Sequence, residues 1–446
     1  MRPSLKHVHL MMLGSLLVSS PLVAHAQTIP SSPTDDSFTE MFTKGSFNGT
    51  ASLMNFSTHN AYFARGLNQD TTAYGANVNF YSAPYKGFTF GVGGYIQRGI
   101  DRNDNHLITE LGNNQNNIGE AWLRWQGAGF TITGGNQQLS IPFATTWNWR
   151  VTPNLFQGID LKYGTSENYI EATRVYRYKW WGAGRFSKTN MYNLDGTVPA
   201  DRTTSGMWSI GAHGTYDWSN ITWTGDAWHE AYHDFDNIDY FQGKGELDGD
   251  GIRPFAAVQF IHGYGNGKTL TANGTNGSKD AQSHIYGVQA GFDYKTFNLS
   301  LNYDHTTLHR NGYLDGALVT PYAHNAASGP IFAQPFFTST QDLGAGNAYL
   351  ISASNVFNNV INHGQLIAGL QYSFMDQAGY PTGYDNGRYT GKSLNQSEYL
   401  AYFIYDFGGA LSHLSLQDWA GVQVAHRPDT HHDTFWQNRV VLQYSF

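Results

Sequence analysis

The sequence predicts an all-β fold, a transmembrane antiparallel β-barrel of about 18 strands with short periplasmic turns and long extracellular loops. Three observations predict it. Short segments that alternate apolar and polar residues recur along the chain. Charged residues make up 13% of the chain and aromatic residues 15%, so the charge is about half that of an average soluble domain. The links between the alternating segments are themselves alternately short and long, as in barrels that cross an outer membrane.

The N-terminus is set apart from this pattern. Arg2, Lys6 and His7 form a basic start, Leu10 to Val23 is apolar, and Ala24-His25-Ala26 has the small-x-small form of a cleavage site. Residues 1–26 therefore read as a secretory signal peptide. Its removal takes the formal charge from −8 to −10, which gives no support for nucleic-acid binding. Residues 27–43 are polar and rich in Pro and Ser, and read as a flexible lead-in. The barrel is expected over 44–446. The remaining sequence has no apolar run of the roughly 20 residues that a membrane-spanning helix requires. Cysteine is absent, which suits a sheet closed by its own hydrogen bonds without requiring it.

The strands follow in order. Five hairpins are legible: 73–82 with 88–98, 117–126 with 129–137, 206–217 with 221–232, 283–294 with 297–306, and 397–407 with 411–425. The fourth is the clearest. His284, Tyr286, Val288, Ala290, Phe292 and Tyr294 alternate with Gln289, Gly291 and Asp293. After Lys295-Thr296, Phe297, Leu299, Leu301 and Tyr303 alternate with Asn298, Ser300, Asn302 and Asp304. Single strands are expected near 45–56, 154–163, 168–179, 236–244, 252–263, 347–356 and 364–375. The closing strand places Trp436, Asn438, Val440, Leu442, Tyr444 and Phe446 on one face, and Gln437, Arg439, Val441, Gln443 and Ser445 on the other, because successive side chains of a strand point oppositely. Alone, this last segment would equally suit the edge of a soluble sandwich. The alternation of short links with stretches such as 99–116, 138–153, 180–205, 264–282, 307–346 and 426–435 favours the membrane barrel. Aromatics gather at strand ends, among them Tyr81, Tyr85, Trp122, Trp125, Trp180, Trp181, Trp218, Phe407 and Trp436, as in an interfacial belt. No N-terminal segment is long enough to plug a barrel of this size, so an internal loop is expected to narrow it.

Motifs for chemistry are few. His229-Glu230-Ala231-Tyr232-His233 matches the zinc-protease pattern H-E-x-x-H, but it continues a strand-like segment. Residues four apart on a strand lie about 13 Å apart, too far to share one zinc. Asp248-Gly249-Asp250-Gly251 resembles a calcium loop without the terminal Glu of the twelve-residue motif; a tight turn is the better reading, with a weak external calcium site as the alternative. His426, His431, His432 and Asp433 read as an exposed loop. No catalytic site, cofactor or metal site is assigned. The charged residues within strands say more. A charge facing lipid at mid-depth costs about 2–4 kcal/mol. Glu120, Arg124, Arg177, Lys179 and Arg439 are therefore pore-lining candidates, together with Arg150 in the 138–153 stretch. Arg177 and Lys179 are expected to share a face with Glu171 and Thr173.

The Pro142 region followed by Trp149-Arg150-Val151-Thr152-Pro153-Asn154-Leu155-Phe156-Gln157-Gly158 resembles the segment after the fifth strand in the porin D (OprD-type) family of outer-membrane channels. The hairpin 283–306, the run Glu398-Tyr399-Leu400-Ala401-Tyr402 with Gly409 to Leu416, and the closing Arg439 to Phe446 resemble that family as well. The resemblance implies an eighteen-stranded monomer narrowed by inward loops, with 138–153 as the main constriction. It implies passive, selective diffusion of small hydrophilic solutes past basic lumen residues. Carboxylates, amino acids and small sugars all remain open, because this chain is acidic and its candidate lumen cations are few. The implied partners are outer-membrane lipid, the solute, and the assembly machinery that reads a terminal aromatic such as Phe446. The alternatives are an outer-membrane barrel hydrolase, for which no nucleophile–base cluster is evident, and a secreted β-rich adhesion or carbohydrate-binding protein.

Overall fold

The structure, a computed structural model, describes residues 37–100, 107–148, 150–194, 198–265, 280–324, 329–336, 344–377, 394–425 and 434–446. Residues 1–26, read above as a signal peptide, the expected lead-in to residue 36 and the histidines of 426–433 lie outside the described residues.

Eighteen antiparallel strands form one closed sheet. They are β1 Ser46–His59, β2 Gln69–Tyr81, β3 Phe88–Gly99, β4 Gln115–Gly127, β5 Phe130–Gln137, β6 Leu155–Gly164, β7 Asn168–Lys179, β8 Met207–Trp218 and β9 Ile221–Tyr232. The second half holds β10 Asp236–Leu247, β11 Ile252–Gly265, β12 Gln282–Tyr294, β13 Phe297–Thr306, β14 Gly346–Asn358, β15 Gln365–Gln377, β16 Leu394–Asp406, β17 Leu414–Ala425 and β18 Thr434–Ser445. Each strand pairs with its neighbours in sequence, and β1 pairs with both β2 and β18. The seam runs from Thr50 opposite Ser445 to His59 opposite Trp436. Paired 3.0 Å hydrogen bonds between the backbones of Gly49 and Phe446 finish it.

The sequence pattern explains the sheet. In β18, Phe435, Gln437 and Gln443 are buried on the inner face, while Trp436, Leu442 and Tyr444 are exposed on the outer face. Tyr286 and Val288 on β12, Leu301 on β13 and Tyr349 and Ile351 on β14 are likewise exposed and outward. An apolar surface continuous around a sheet of this size has lipid hydrocarbon as its natural surrounding. With no water there to satisfy an open edge, closure is obligatory.

At one end every link has two to seven residues. In the β4–β5 turn, Ala128 and Gly129 both hold left-handed φ, of 51° and 81°, as a two-residue hairpin matched to strand twist requires. At the other end the links are longer, except 233–235 between β9 and β10. Asp248 to Gly251 forms a short-end link, where Asp248 N–H donates to Asn220 O and the Thr222 hydroxyl to the Asp248 carboxylate. The expected external position of this acidic turn is thus corrected: it lies at the opposite end from the long loops. Residues 37–43, part of the expected lead-in, meet the 82–87 link at the short end, where Ala83 N–H donates to Met41 O. A helical turn at Glu40–Thr43 buries Met41, and Phe38 packs on Phe42 and Tyr85.

Two bulges interrupt the alternation. Between β3 and β4 the register shifts at Val92/Gly94, opposite Gly119 and Glu120. Between β6 and β7, Gln157 faces Arg177 and the next residue, Gly158, faces Val175, leaving Tyr176 unpaired.

The outer face yields a prediction. Leu301→Arg, at mid-strand on the outer face, should destabilise the lipid-embedded barrel by about 2–4 kcal/mol, measured by reversible unfolding from vesicles. A cost near zero would contradict lipid contact at that depth.

Candidate functional site

The inside of the barrel is not an empty cylinder. Several long-end segments fold into it and pack as a core. In the 138–154 segment, Ser140–Ile141 pairs with Ala144–Thr145 in a small hairpin, and Ile141, Phe143 and Ala144 are buried. The hairpin is tied to the wall, because Phe143 N–H donates to Glu230 Oε1 at 3.0 Å and the Tyr232 hydroxyl donates to Glu230 Oε2. Gly329 holds φ +81° at a point where a Cβ would meet the Phe143 ring, so the left-handed backbone and the close approach both call for glycine. Asn154 closes the base of the segment by accepting from Trp147 N–H and donating to Thr145 O. The 180–206 and 307–324 segments interlock above it. Met191 N–H donates to Pro321 O at 2.9 Å, Thr320 N–H to the Tyr192 hydroxyl at 3.1 Å, and Tyr192 stacks on His324 at 4.1 Å. Tyr322 packs against Phe156, Tyr178 and Tyr232. This core leans on β6 to β12.

On the seam side, arginines and aromatic rings converge. Phe56 on β1 stands opposite Arg439 on β18 in the register, and Arg439 lies 4.6 Å from the Phe56 ring centre. Arg150, from the inward loop, lies 4.9 Å from the same ring and 4.9 Å from that of Trp181. Phe336 packs on Arg439 at 4.7 Å and is held by its N–H donating to Glu398 Oε1 at 2.7 Å. Glu110 bonds Arg150 through Nε at 3.1 Å and Nη2 at 2.8 Å. Three separate stretches of chain, β1, β18 and the inward loop, thus bring two guanidinium groups to one phenyl ring, an arrangement suited to planar cations on π faces.

A second charged band lines the inner wall nearer the short turns. Lys162 pairs with Glu171 at 2.8 Å, His213 with Asp226 at 2.9 Å, and Lys244 with Glu246 at 3.0 Å. Arg253 reaches Glu246 at 3.4 Å and Asp293 at 3.8 Å. Arg124 joins this wall through Nε to Thr133 Oγ1 at 2.9 Å and stacking on Trp122 at 4.7 Å. The band alternates in sign.

The six residues singled out from sequence therefore have different surroundings. Arg150 and Arg439 come together. Arg124 is inward and separate. Glu120 is fully buried, with Tyr81, Tyr95, Trp122 and Gln138 donating to its carboxylate; this places it within the wall's own hydrogen bonds, away from open lumen. The expected shared face of Arg177, Lys179, Glu171 and Thr173 is broken by the bulge at Tyr176. Arg177 is exposed beside Gln157, and Lys179 is enclosed, its Nζ without a hydrogen-bond partner among the described residues. Trp122 and Trp181 are buried inside and do not belong to the interfacial belt expected of them. His229 points outward and Glu230 inward from adjacent positions of β9, so the zinc-protease pattern has no zinc-protease geometry. Phe56, Glu110, Phe336, Lys162 and Glu171 carry no sequence motif. Strand parity could have marked Phe56, Lys162 and Glu171 as inward, whereas Glu110 and Phe336 lie outside the strands.

The fold has solved counterparts. It is the fold of outer-membrane porins. A BenF-like porin from Pseudomonas fluorescens Pf-5 superposes with a TM-score of 0.73, with 14% identity over 91% of this chain and 99% of that one. Pseudomonas aeruginosa OccK9 (OpdG) gives 0.71 with 12% identity over 91% and 99%. Acinetobacter baumannii OccAB3 gives 0.69 with 16% identity over 90% and 99%. No family model matches the sequence, and no curated protein matches it. The porins share with this chain the whole barrel, at identities that speak to fold alone.

Glu230→Ala should free the inward hairpin, by removing the acceptor of buried donors at Phe143 and Tyr232. A destabilisation of about 1–3 kcal/mol is expected, with faster amide exchange over 139–146. Unchanged exchange there would show that the tether is idle.

Proposed function

We propose that this protein is an outer-membrane porin that lets small hydrophilic solutes diffuse passively through the barrel, without chemistry of its own. The observation that carries the reading is the arrangement inside the closed barrel. An off-centre apolar core fills one side, and charged and aromatic side chains from loop and wall meet on the other. Barrels of 16–18 strands enclose an aqueous channel unless something fills it, and the 138–154 segment is the constriction in this reading.

Arg439 and Arg150 then set the field that a solute meets at the narrowing, and Glu110 offsets part of Arg150. The alternating band below, from Lys162 to Asp293, offers both signs. This distribution supports carboxylates or amino acids, and the amides and aromatic rings of the wall admit small sugars. Low dielectric walls strengthen such fields, so one charge reversal at the narrowing has a large effect on ion preference. Phe446, exposed at the end of β18, serves in this reading as the terminal aromatic recognised during membrane assembly.

Planar-bilayer recording tests the proposal directly. Purified protein should form discrete ion-conducting channels, and a preparation of folded barrels that never conducts would sink it. In a salt gradient, Arg439→Glu should move the reversal potential toward cation preference, and Glu110→Gln should move it the other way. A reversal potential unmoved by Arg439→Glu would remove Arg439 from the solute path.

A further inference from the structure

The outer surface near the long-loop end carries a row of imidazoles that permeation does not use. His229 on β9, Asp239 on β10, His262 on β11 and His284 on β12 are consecutive register partners across four strands. All are outward and partly exposed. His229 Nδ1 lies 2.7 Å from Asp239 Oδ1, and His262 Nδ1 lies 3.7 Å from Asp239 Oδ2. The rings of His262 and His284 stack at 4.5 Å. His309, from the following loop, brings Nε2 to 2.8 Å from His284 Nδ1.

The residues beneath the row place it in the bilayer. Two positions along each strand, about 6.6 Å nearer the barrel waist, stand Phe260 below His262, Tyr286 below His284 and Tyr303 below His305. Two positions further stand Val258, Val288 and Leu301. On β14 the same descent runs Asn347, Tyr349, Ile351, in register with His305, Tyr303 and Leu301. The order is imidazole or amide, then aromatic, then aliphatic. Aromatic rings mark the membrane–water interface, so the tier outside them lies among lipid headgroups. The aliphatic tier is also concave. A groove of about 470 Å3 opens outward between β12 and β14, lined by Val288, Ala290, Leu301, Tyr303, Tyr349 and Ile351. Tyr303 and His305 both bond Asn347 Oδ1, at 2.8 and 3.0 Å, and so connect groove to headgroup tier.

We propose that this surface binds one outer-leaflet lipid with a phosphate headgroup, its acyl chain in the groove and its phosphate on the protonated imidazoles. The proposal rests on the outer-membrane reading above. Two facing ring nitrogens 2.8 Å apart share one proton between them. A second proton sets N–H against N–H, which an intervening phosphate oxygen relieves. Burial and the neighbouring His262 hold His309 below the ordinary imidazole range, so its charge is gained on the acid side of that range. The titratable groups facing the row are Asp239, His229, His305, Tyr264, Tyr286, Tyr303 and Tyr349, with Asp280, Arg310 and Asp315 on the adjoining chain. Asp239 is the one carboxylate in register with the imidazoles, and it is shared by His229 and His262. His284 and His309 are thus left to the phosphate. A phosphate monoester keeps at least one negative charge below its second pKa of about 6, so attraction survives in the acid range where the imidazoles charge.

The test is native mass spectrometry of the full folded barrel with short-chain phosphatidic acid, at about pH 7.5 and about pH 5.5. Retention should rise about three- to tenfold on acidification. The His262→Asn/His284→Asn/His309→Asn variant should show no rise, and glycerol 3-phosphate, which lacks chains, should be retained no better by wild type than by the variant. Flat retention in wild type would overturn the proposal, as would an equal rise in the variant, equal binding of glycerol 3-phosphate, or loss of binding on adding a chelator, which would mean a bridging metal. Heat-modifiable gel migration verifies folding, and if the triple variant fails to fold, His284→Asn and the wild-type pH series decide. Conductance of the same preparation reports on the pore reading separately, so failure of one is distinguishable from failure of the other.

Discussion

The constraint on which the structure depends is that every strand must have two hydrogen-bonded neighbours. In hydrocarbon an unpaired backbone amide has no water to turn to, and each such group costs several kcal/mol. The pairing of β1 with β18 satisfies this for the last open edges. Once the sheet closes, each strand has an inside and an outside, and the two-residue period sorts side chains between them. The apolar exterior, the polar interior and the absence of any need for cysteine follow from that closure.

The interior then sets its own problem. A cylinder of eighteen strands is too wide for wall side chains alone to fill. The chain fills part of it with long-end segments that bring their own apolar residues: Phe143, Tyr192, Leu318 and Tyr322 among them. Backbone taken inside must still be paired, which is why carboxylates and hydroxyls of the wall, such as Glu230, accept from loop N–H groups. The wall carboxylates thus divide into two kinds. Glu120, Glu230 and Glu398 are occupied by donors of the protein itself, whereas Glu171, Glu246 and Asp226 are paired to basic side chains along the inner face.

Much of the barrel was legible in the sequence because its rule is local. Parity along a strand needs only two residues to establish, so strand existence, the order of short and long links and the inward side of Arg439 could all be read. Parity fails where one residue is inserted. The bulge at Tyr176 turned Arg177 and Lys179 away from the face they had seemed to share with Glu171. The site was less legible because its contacts are not periodic. Glu110 meets Arg150, and Phe336 meets Arg439, only after loops far apart in sequence have entered the barrel. A proline-to-phenylalanine stretch pointed to 138–153, but nothing in it reveals that Phe143 would sit against Gly329.

One consequence of the seam concerns timing. Phe56 belongs to the first strand and Arg439 to the last, and they face each other only across the junction that seals the cylinder. Before that junction zips, the ring has one of its two guanidinium neighbours at most, and the arginine has no ring from β1 to lie on. The cluster is therefore a late product of biogenesis: a half-inserted chain, though rich in hairpins, holds the parts of the cluster without its architecture. Sealing the wall and completing its inner lining are one event.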